Sequence, residues 1–182
     1  LRQAWEDSQI RAAPLQQRWR TAAGDIQARL QQLQATAAAA SRAHHWQAAE
    51  AWQQWLRARL NGADASAPEQ ASAFQKSLLA LDAAALEQHL HQAAGQVQQL
   101  CLAMEYLAGL DSPAEHQQAR MEYQVQRLAE RIGQGSFQPS RREELDQLEQ
   151  AWFALQPLAP GAQAEAFQQR FRRAWEVVIK TL

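Results

Sequence analysis

The chain has 182 residues, with 18 Lys and Arg against 19 Asp and Glu for a net charge of −1; this length suits one compact domain or two small ones. Ala, Gln and Leu number 39, 30 and 21, about half of the chain, whereas Val, Ile and Thr together number only 11, too few of the residues from which strands are built. An all-β or doubly wound α/β fold is thereby excluded, no apolar run reaches the ~18–20 residues of a membrane span, and a single cysteine leaves no intrachain disulfide framework.

Ala, Leu, Gln, Glu and Arg lose least on entering a helix. The expected fold is all-α, a helical bundle or an array of antiparallel helical hairpins of about seven to eight helices. Pro14 suits a helix N1 position and Gly24 the following C′ position, after which Asp25 caps a new start. Ser41 is the N-cap of a segment running to Leu60, where Asn61-Gly62 stops it. The run Ala35–Ala40 lacks large side chains and is either a close helix crossing or an exposed stretch. Ser66, Pro68 and Glu69 open another helix. Asp82 caps a long one that ends at Gly109. Ser112-Pro113-Ala114-Glu115 is a capping box with Pro at N1; its helix runs to Ile132 and stops at Gly133. Residues 133–139 form a loop. Ser140-Arg-Arg-Glu143 is a second capping box, opening a helix to about Leu155 that Pro157 to Gly161 break. A last helix covers Ala162 to Lys180.

Each of these segments has helical apolar spacing. Leu100, Met104 and Leu107 form one stripe, Met121, Val125, Leu128 and Ile132 a second. Leu145, Leu148, Trp152 and Leu155 form a third, and Phe167, Phe171, Trp175 and Val178 a fourth. All four are expected to face the core. The short turn between the last two makes Trp152 and Phe171 neighbours across a hairpin. Glu105 and Glu122 adjoin apolar stripes with Arg120 and Arg127 in reach, a pattern for a buried Glu–Arg pair joining two helices.

The net charge conceals an asymmetry: residues 1–60 sum to +4, 61–118 to −6 and 119–182 to +1. Segments of opposite sign can pack on each other or face an outside partner. Arg outnumbers Lys 16 to 2, which together with the alanine content is the composition of a GC-rich bacterial genome. The chain begins at Leu1 and is expected to be a piece of a longer protein. Its lone thiol favours a reducing cytoplasm. The division expected is an N-terminal helical segment over 1–62 and a C-terminal bundle over 63–182, or one continuous domain.

Leu15-Gln-Gln-Arg-Trp19 matches Leu148-Glu-Gln-Ala-Trp152 in placing Leu and Trp four apart before a helix-ending residue, and Trp52 and Trp55 lie in a third partial copy. The segment Leu148-x-x-x-Trp152-x-x-Leu155-x-Pro157-x-x-Pro160, followed by Phe167-x-x-Arg170-Phe171-x-x-Ala174, resembles the bacterial repeat called domain of unknown function 349, over 145–178. Residues 100–113 and 120–128 resemble a stretch in the C-terminal part of proteobacterial members. Gln156 stands where that repeat has Gly, and no Pro follows Gly24. The resemblance implies an all-helical intracellular protein and carries no catalytic residues.

Chemistry-bearing groups are sparse. His44 and His45 are adjacent and His89 and His91 two apart, spacings that do not aim two ligands to one side of a helix. Cys101 and Glu105 are four apart, but two ligands make no zinc site. Cys101 lies in an apolar stripe, where a thiol is a small buried hydrophobe. Glu143 and Glu144 complement a helix N-terminus. No nucleophile elbow, phosphate loop or dinucleotide fingerprint is present. The chain is thus expected to be a non-enzyme with no catalytic, cofactor or metal residues and no small-molecule substrate. It is expected to act as a helical scaffold that binds a protein partner or itself. The alternative is an accessory RNA- or DNA-binding domain in which Arg18, Trp19, Arg20, Trp55, Arg57, Arg59, Arg170 and Arg173 combine guanidinium and indole contacts. Leu107, Ser112, Pro113, Trp152, Phe167, Phe171 and Trp175 are assigned to structure.

Overall fold

A computed structural model describes the backbone of residues 2–134 and 139–182 and the side chains of residues 13–132 and 139–182. All regular structure among the described residues is helical: α1 (Arg2–Leu60), α2 (Ala73–Leu78), α3 (Ala83–Ala108), α4 (Gln117–Gln134), α5 (Arg141–Ala154) and α6 (Ala162–Thr181), with one 3-10 turn at Ala114–His116. No helix among them is long and apolar enough to cross a membrane. The expected loop over 133–139 falls mostly outside the described residues.

Among the described residues six α-helices stand where seven to eight are expected, chiefly because residues 2–60 form one helix rather than three. Pro14 lies inside it, and Gly24, Asp25 and Ser41 are interior residues rather than stops and caps. One proline removes a single ladder hydrogen bond and one glycine costs about 1 kcal/mol. The strong helix formers on both sides outweigh these local signals.

The chain divides into two compact units, 1–45 and 46–182. In the first unit the described large apolar side chains Leu15, Trp19, Ile26, Leu30 and Leu33 are all exposed, between 54% and 75%. The alanine run 35–40 is exposed apart from half-buried Ala38. Thr21 and Thr36 each return their hydroxyl to the carbonyl four residues back, Gln17 and Gln32.

In the second unit α3 is the central element, and α4, α5 and α6 all pack on it. Its boundaries are the expected ones. The Asp82 carboxylate accepts from the Ala85 N–H at 2.9 Å, and Gly109 closes the helix in the left-handed conformation with φ 68°, which only glycine adopts without strain. The Ser140–Glu143 capping box forms in both directions. The start expected at Ser66–Glu69 lies later: Ser72 caps α2 in a capping box with Gln75, and a polar reason fixes it there. The Ser72 hydroxyl also donates to the Ala154 carbonyl at 2.7 Å, and the Gln75 amide donates to Phe153 at 3.2 Å. The Gln53 side chain joins them by exchanging two hydrogen bonds with the Leu158 backbone. Three amide and hydroxyl groups thus satisfy the bend that contains the cis Gln156–Pro157 peptide, where no helical partner exists.

Two apolar clusters fill this unit. One joins Trp52, Trp55 and Leu56 of α1 to Leu78, Leu86 and Leu90. The other joins Val97, Cys101 and Met104 of α3 to Leu145 and Trp152 of α5 and to Phe167, Phe171, Ala174 and Val178 of α6. Leu107 is half-buried against it. The expected hairpin contact is present, with the Trp152 and Phe171 rings stacked at 3.9 Å and 7° apart in plane. Trp175 is half-buried; its indole N–H donates to Glu149, and its ring meets Trp46 edge-on.

Trp152 and Phe171 are 1% and 0% exposed, so Trp152→Ala and Phe171→Ala should each cost about 3–5 kcal/mol by the cavity left behind. Because the rings share one contact, urea unfolding of the double mutant should show a loss smaller than the sum. Strict additivity would contradict the stacked pair.

Candidate interaction surfaces

Helix α4 is turned opposite to the sense its sequence suggests. Met121, Val125, Leu128 and Ile132, expected in the core, are between 59% and 78% exposed. The opposite face is polar and is the one tied down. Arg120 donates to the carbonyls of Leu102 and Leu110 at 2.7 and 3.2 Å. Tyr123 meets Tyr106 of α3 edge-on with centroids 5.7 Å apart. Arg127 pairs with Glu144 of α5 and with Glu130. Residues 120, 123 and 127 lie on one face of a helix, about 140° from the aliphatic stripe. Arg141 bonds the Leu107 carbonyl in the last turn of α3, where the helix dipole favours a cation, and Arg120 reaches the Leu110 carbonyl just past the helix end. These contacts outcompete burial of four aliphatic side chains because α3 offers carbonyls and a tyrosine at that place. The i, i+3, i+7 spacing of Arg120, Tyr123 and Arg127 was the available signal.

A cleft of ≈ 280 Å³ lies between α3, α4 and α5, with Tyr106, Tyr123, Arg127, Glu144, Gln147 and Leu148 on its walls. It falls just under the usual range for small-molecule pockets. Its charged groups are engaged with one another, and burial raises the Tyr123 hydroxyl above its ordinary pKa although Arg127 opposes this.

Behind α4 lies a buried ionic cluster. Arg170 of α6 grips Glu105 of α3 through Nε to Oε1 at 2.8 Å and Nη2 to Oε2 at 3.0 Å, a bidentate fork. Ser112 donates its hydroxyl to the same carboxylate. A buried Glu–Arg pair joins two helices as expected, but through Arg170 rather than Arg120 or Arg127, and Glu122 instead meets Gln118 on the surface. Ser112 is therefore not an N-cap: Pro113 precedes the 3-10 turn, without a side-chain cap, and α4 begins at Gln117. The buried carboxylate is the stronger partner for the hydroxyl. Burial disfavours the charge on Arg170, yet its hydrogen bonds to Glu105 and the carboxylate's charge outweigh burial and hold its pKa above the ordinary value. Cys101 is fully buried beside this pair and hydrogen-bonds the Phe167 carbonyl. Burial pushes its thiol up to about 12, with Arg170 opposing.

Of the eight Arg and Trp residues expected as nucleic-acid or partner contacts, three belong to the first unit and five to the second. Arg18, Trp19 and Arg20 are exposed in the first unit. Trp55 is 5% exposed and packs edge-on with Trp52, so it has no face free for a base. Arg57 and Arg173 are exposed. Arg59 donates to the Leu81 carbonyl at 3.4 Å, and Arg170 is engaged with Glu105. Among the described residues no group of three or more His, Cys, Asp or Glu is placed to hold a metal ion. The two matching pentads place their Trp residues differently, Trp19 exposed and Trp152 buried. No protein-family model, no curated protein and no solved structure matches the chain.

Removing one partner of a buried pair leaves an uncompensated charge. Glu105 and Arg170 side chains are 5% and 12% exposed, so Arg170→Ala should cost about 3–5 kcal/mol in urea unfolding. The Cys101 thiol should resist Ellman's reagent at pH 8 in the folded protein and react at once in denaturant. Because its folded pKa is raised, its contribution to stability is full below the unfolded value of about 8.5 and declines as pH rises above that; Cys101→Ala should flatten this alkaline loss.

Proposed function

We propose that the chain is a non-enzymatic helical interaction module, and that α4 is a docking face for an amphipathic helix of a protein partner. The observation that carries this reading is the outward aliphatic stripe Met121–Val125–Leu128–Ile132 on a helix whose polar face is held by Arg120, Tyr123 and Arg127. Contiguous exposed apolar surface is what soluble proteins keep for partners, and an i, i+4, i+7, i+11 stripe fits the groove-and-ridge packing of a second helix. A lone buried thiol accords with a scaffold in a reducing cytoplasm.

A second reading, single-stranded nucleic acid, has one favourable observation: Arg18, Trp19 and Arg20 are all exposed. Fluorescence anisotropy with a labelled strand at low salt separates the two. Nucleic-acid binding should fall steeply with salt and be lost in Trp19→Ala; helix docking on α4 should be indifferent to both.

Val125→Glu places a charge on the exposed stripe and should leave the unfolding midpoint within about 0.5 kcal/mol of the parent. Cross-linking and affinity purification of the full-length protein from its host should recover a partner with the parent and lose it with Val125→Glu. Equal recovery would remove α4 from the reading, and a large fall in stability would place the stripe in a core.

A further inference from the structure

The first unit is a length of a single helix, and a single helix gains most of its stability from burying an apolar face against something else. At about 100° per residue, Leu15, Trp19, Ile26, Leu30 and Leu33 fall within an arc of about 60°, and all five are exposed. Their spacing is an eleven-residue one: Leu15 to Ile26 to Ala37, Trp19 to Leu30, Ala22 to Leu33. That period, about 3.67 residues per turn, lets two nearly straight helices lie along each other.

We propose that residues 15–41 of α1 pair antiparallel with the same residues of a second copy of this chain, over about 40 Å. This goes beyond the α4 reading and uses a different face. Two features select the second copy and the direction. The first is volume: bulky side chains occupy the first part of the stripe and alanines the last. Centred between Ile26 and Leu30, an antiparallel pair sets each Ile26 beside the second copy's Leu30. Each Trp19 then lies over the second copy's Ala37, and each Leu15 over its small Ser41. The second is charge: Asp25 and Arg29 lie along one edge of the stripe, while Gln16, Gln27 and Gln34 lie along the other. In an antiparallel pair like edges meet, so each Asp25 comes within two residues, about 3 Å along the axis, of the second copy's Arg29 and in reach of it, giving two ion pairs. A parallel pair would set Trp19 against Trp19, would bring the charged edge against the glutamine edge with no ion pair, and would leave the alanines facing alanines.

The full chain should sediment as a dimer in the micromolar range, and Ile26→Asp should be a monomer there while the heat-unfolding midpoint of the α3–α6 unit stays unchanged. Asp25→Arg should weaken the dimer about tenfold, since two pairs become repulsions, and the exchange Asp25→Arg with Arg29→Asp should restore it. For direction, Trp19→Cys and Ala37→Cys proteins oxidised separately should give no covalent dimer, and their mixture should give one; buried Cys101 does not compete. A monomeric parent, a dimer indifferent to Ile26→Asp, or self-linked dimers of either cysteine variant would overturn the proposal. A dimer dissolved by Val125→Glu would overturn it too, while leaving α4 as an interaction face.

Discussion

Residues 101–105 of α3 are buried without a break, so this turn and a half of helix has no solvent face. A helix enclosed on all sides must be covered by several others, and α4, α5 and α6 are the covers. The cost is Glu105, a carboxylate at the C-terminal end of the enclosed stretch. It must be neutralised and hydrogen-bonded where it lies, and Arg170 and Ser112 do so. The register of α6 against α3 and the path of the chain after Gly109 both follow from that need.

The two aromatic stripes of α5 and α6 then close the far side of α3. Trp152 and Phe171 stack, and Trp46 meets both Phe153 and Trp175 edge-on. The bend between the helices holds its shape through Gln53, Ser72 and Gln75, which arrive from α1 and α2. Polar residues that a composition reading takes for surface thus secure the one irregular segment next to the core.

With α3 covered by ionic, aromatic and carbonyl contacts, the aliphatic groups of α4 are left outside. The stripe on the first unit is left outside for a different reason: no described side chain of that unit stands opposite it. Both surfaces are apolar, but their chemistry differs. The α4 face is uninterrupted aliphatic surface, whereas the α1 stripe is graded from bulky to small and edged by opposite charges, which suits it to its own kind.

The sequence by itself determined the all-helical class, the boundaries of α3 at Asp82 and Gly109, the capping box at Ser140 and the Trp152–Phe171 contact. Each depends on residues close in the chain or on a short turn, so local chemistry suffices. Only the tertiary structure decided that α1 runs through Pro14, Gly24 and Ser41, because summed propensity over 59 residues outweighs single breakers. It alone turned Ser112 from a cap into a ligand of Glu105, chose Arg170 over Arg120 and Arg127 as that carboxylate's partner, and set the α4 stripe outward. Those outcomes hinge on which carbonyl, ring or carboxylate lies across the bundle. Helical periodicity names a face but not the neighbour that will claim it.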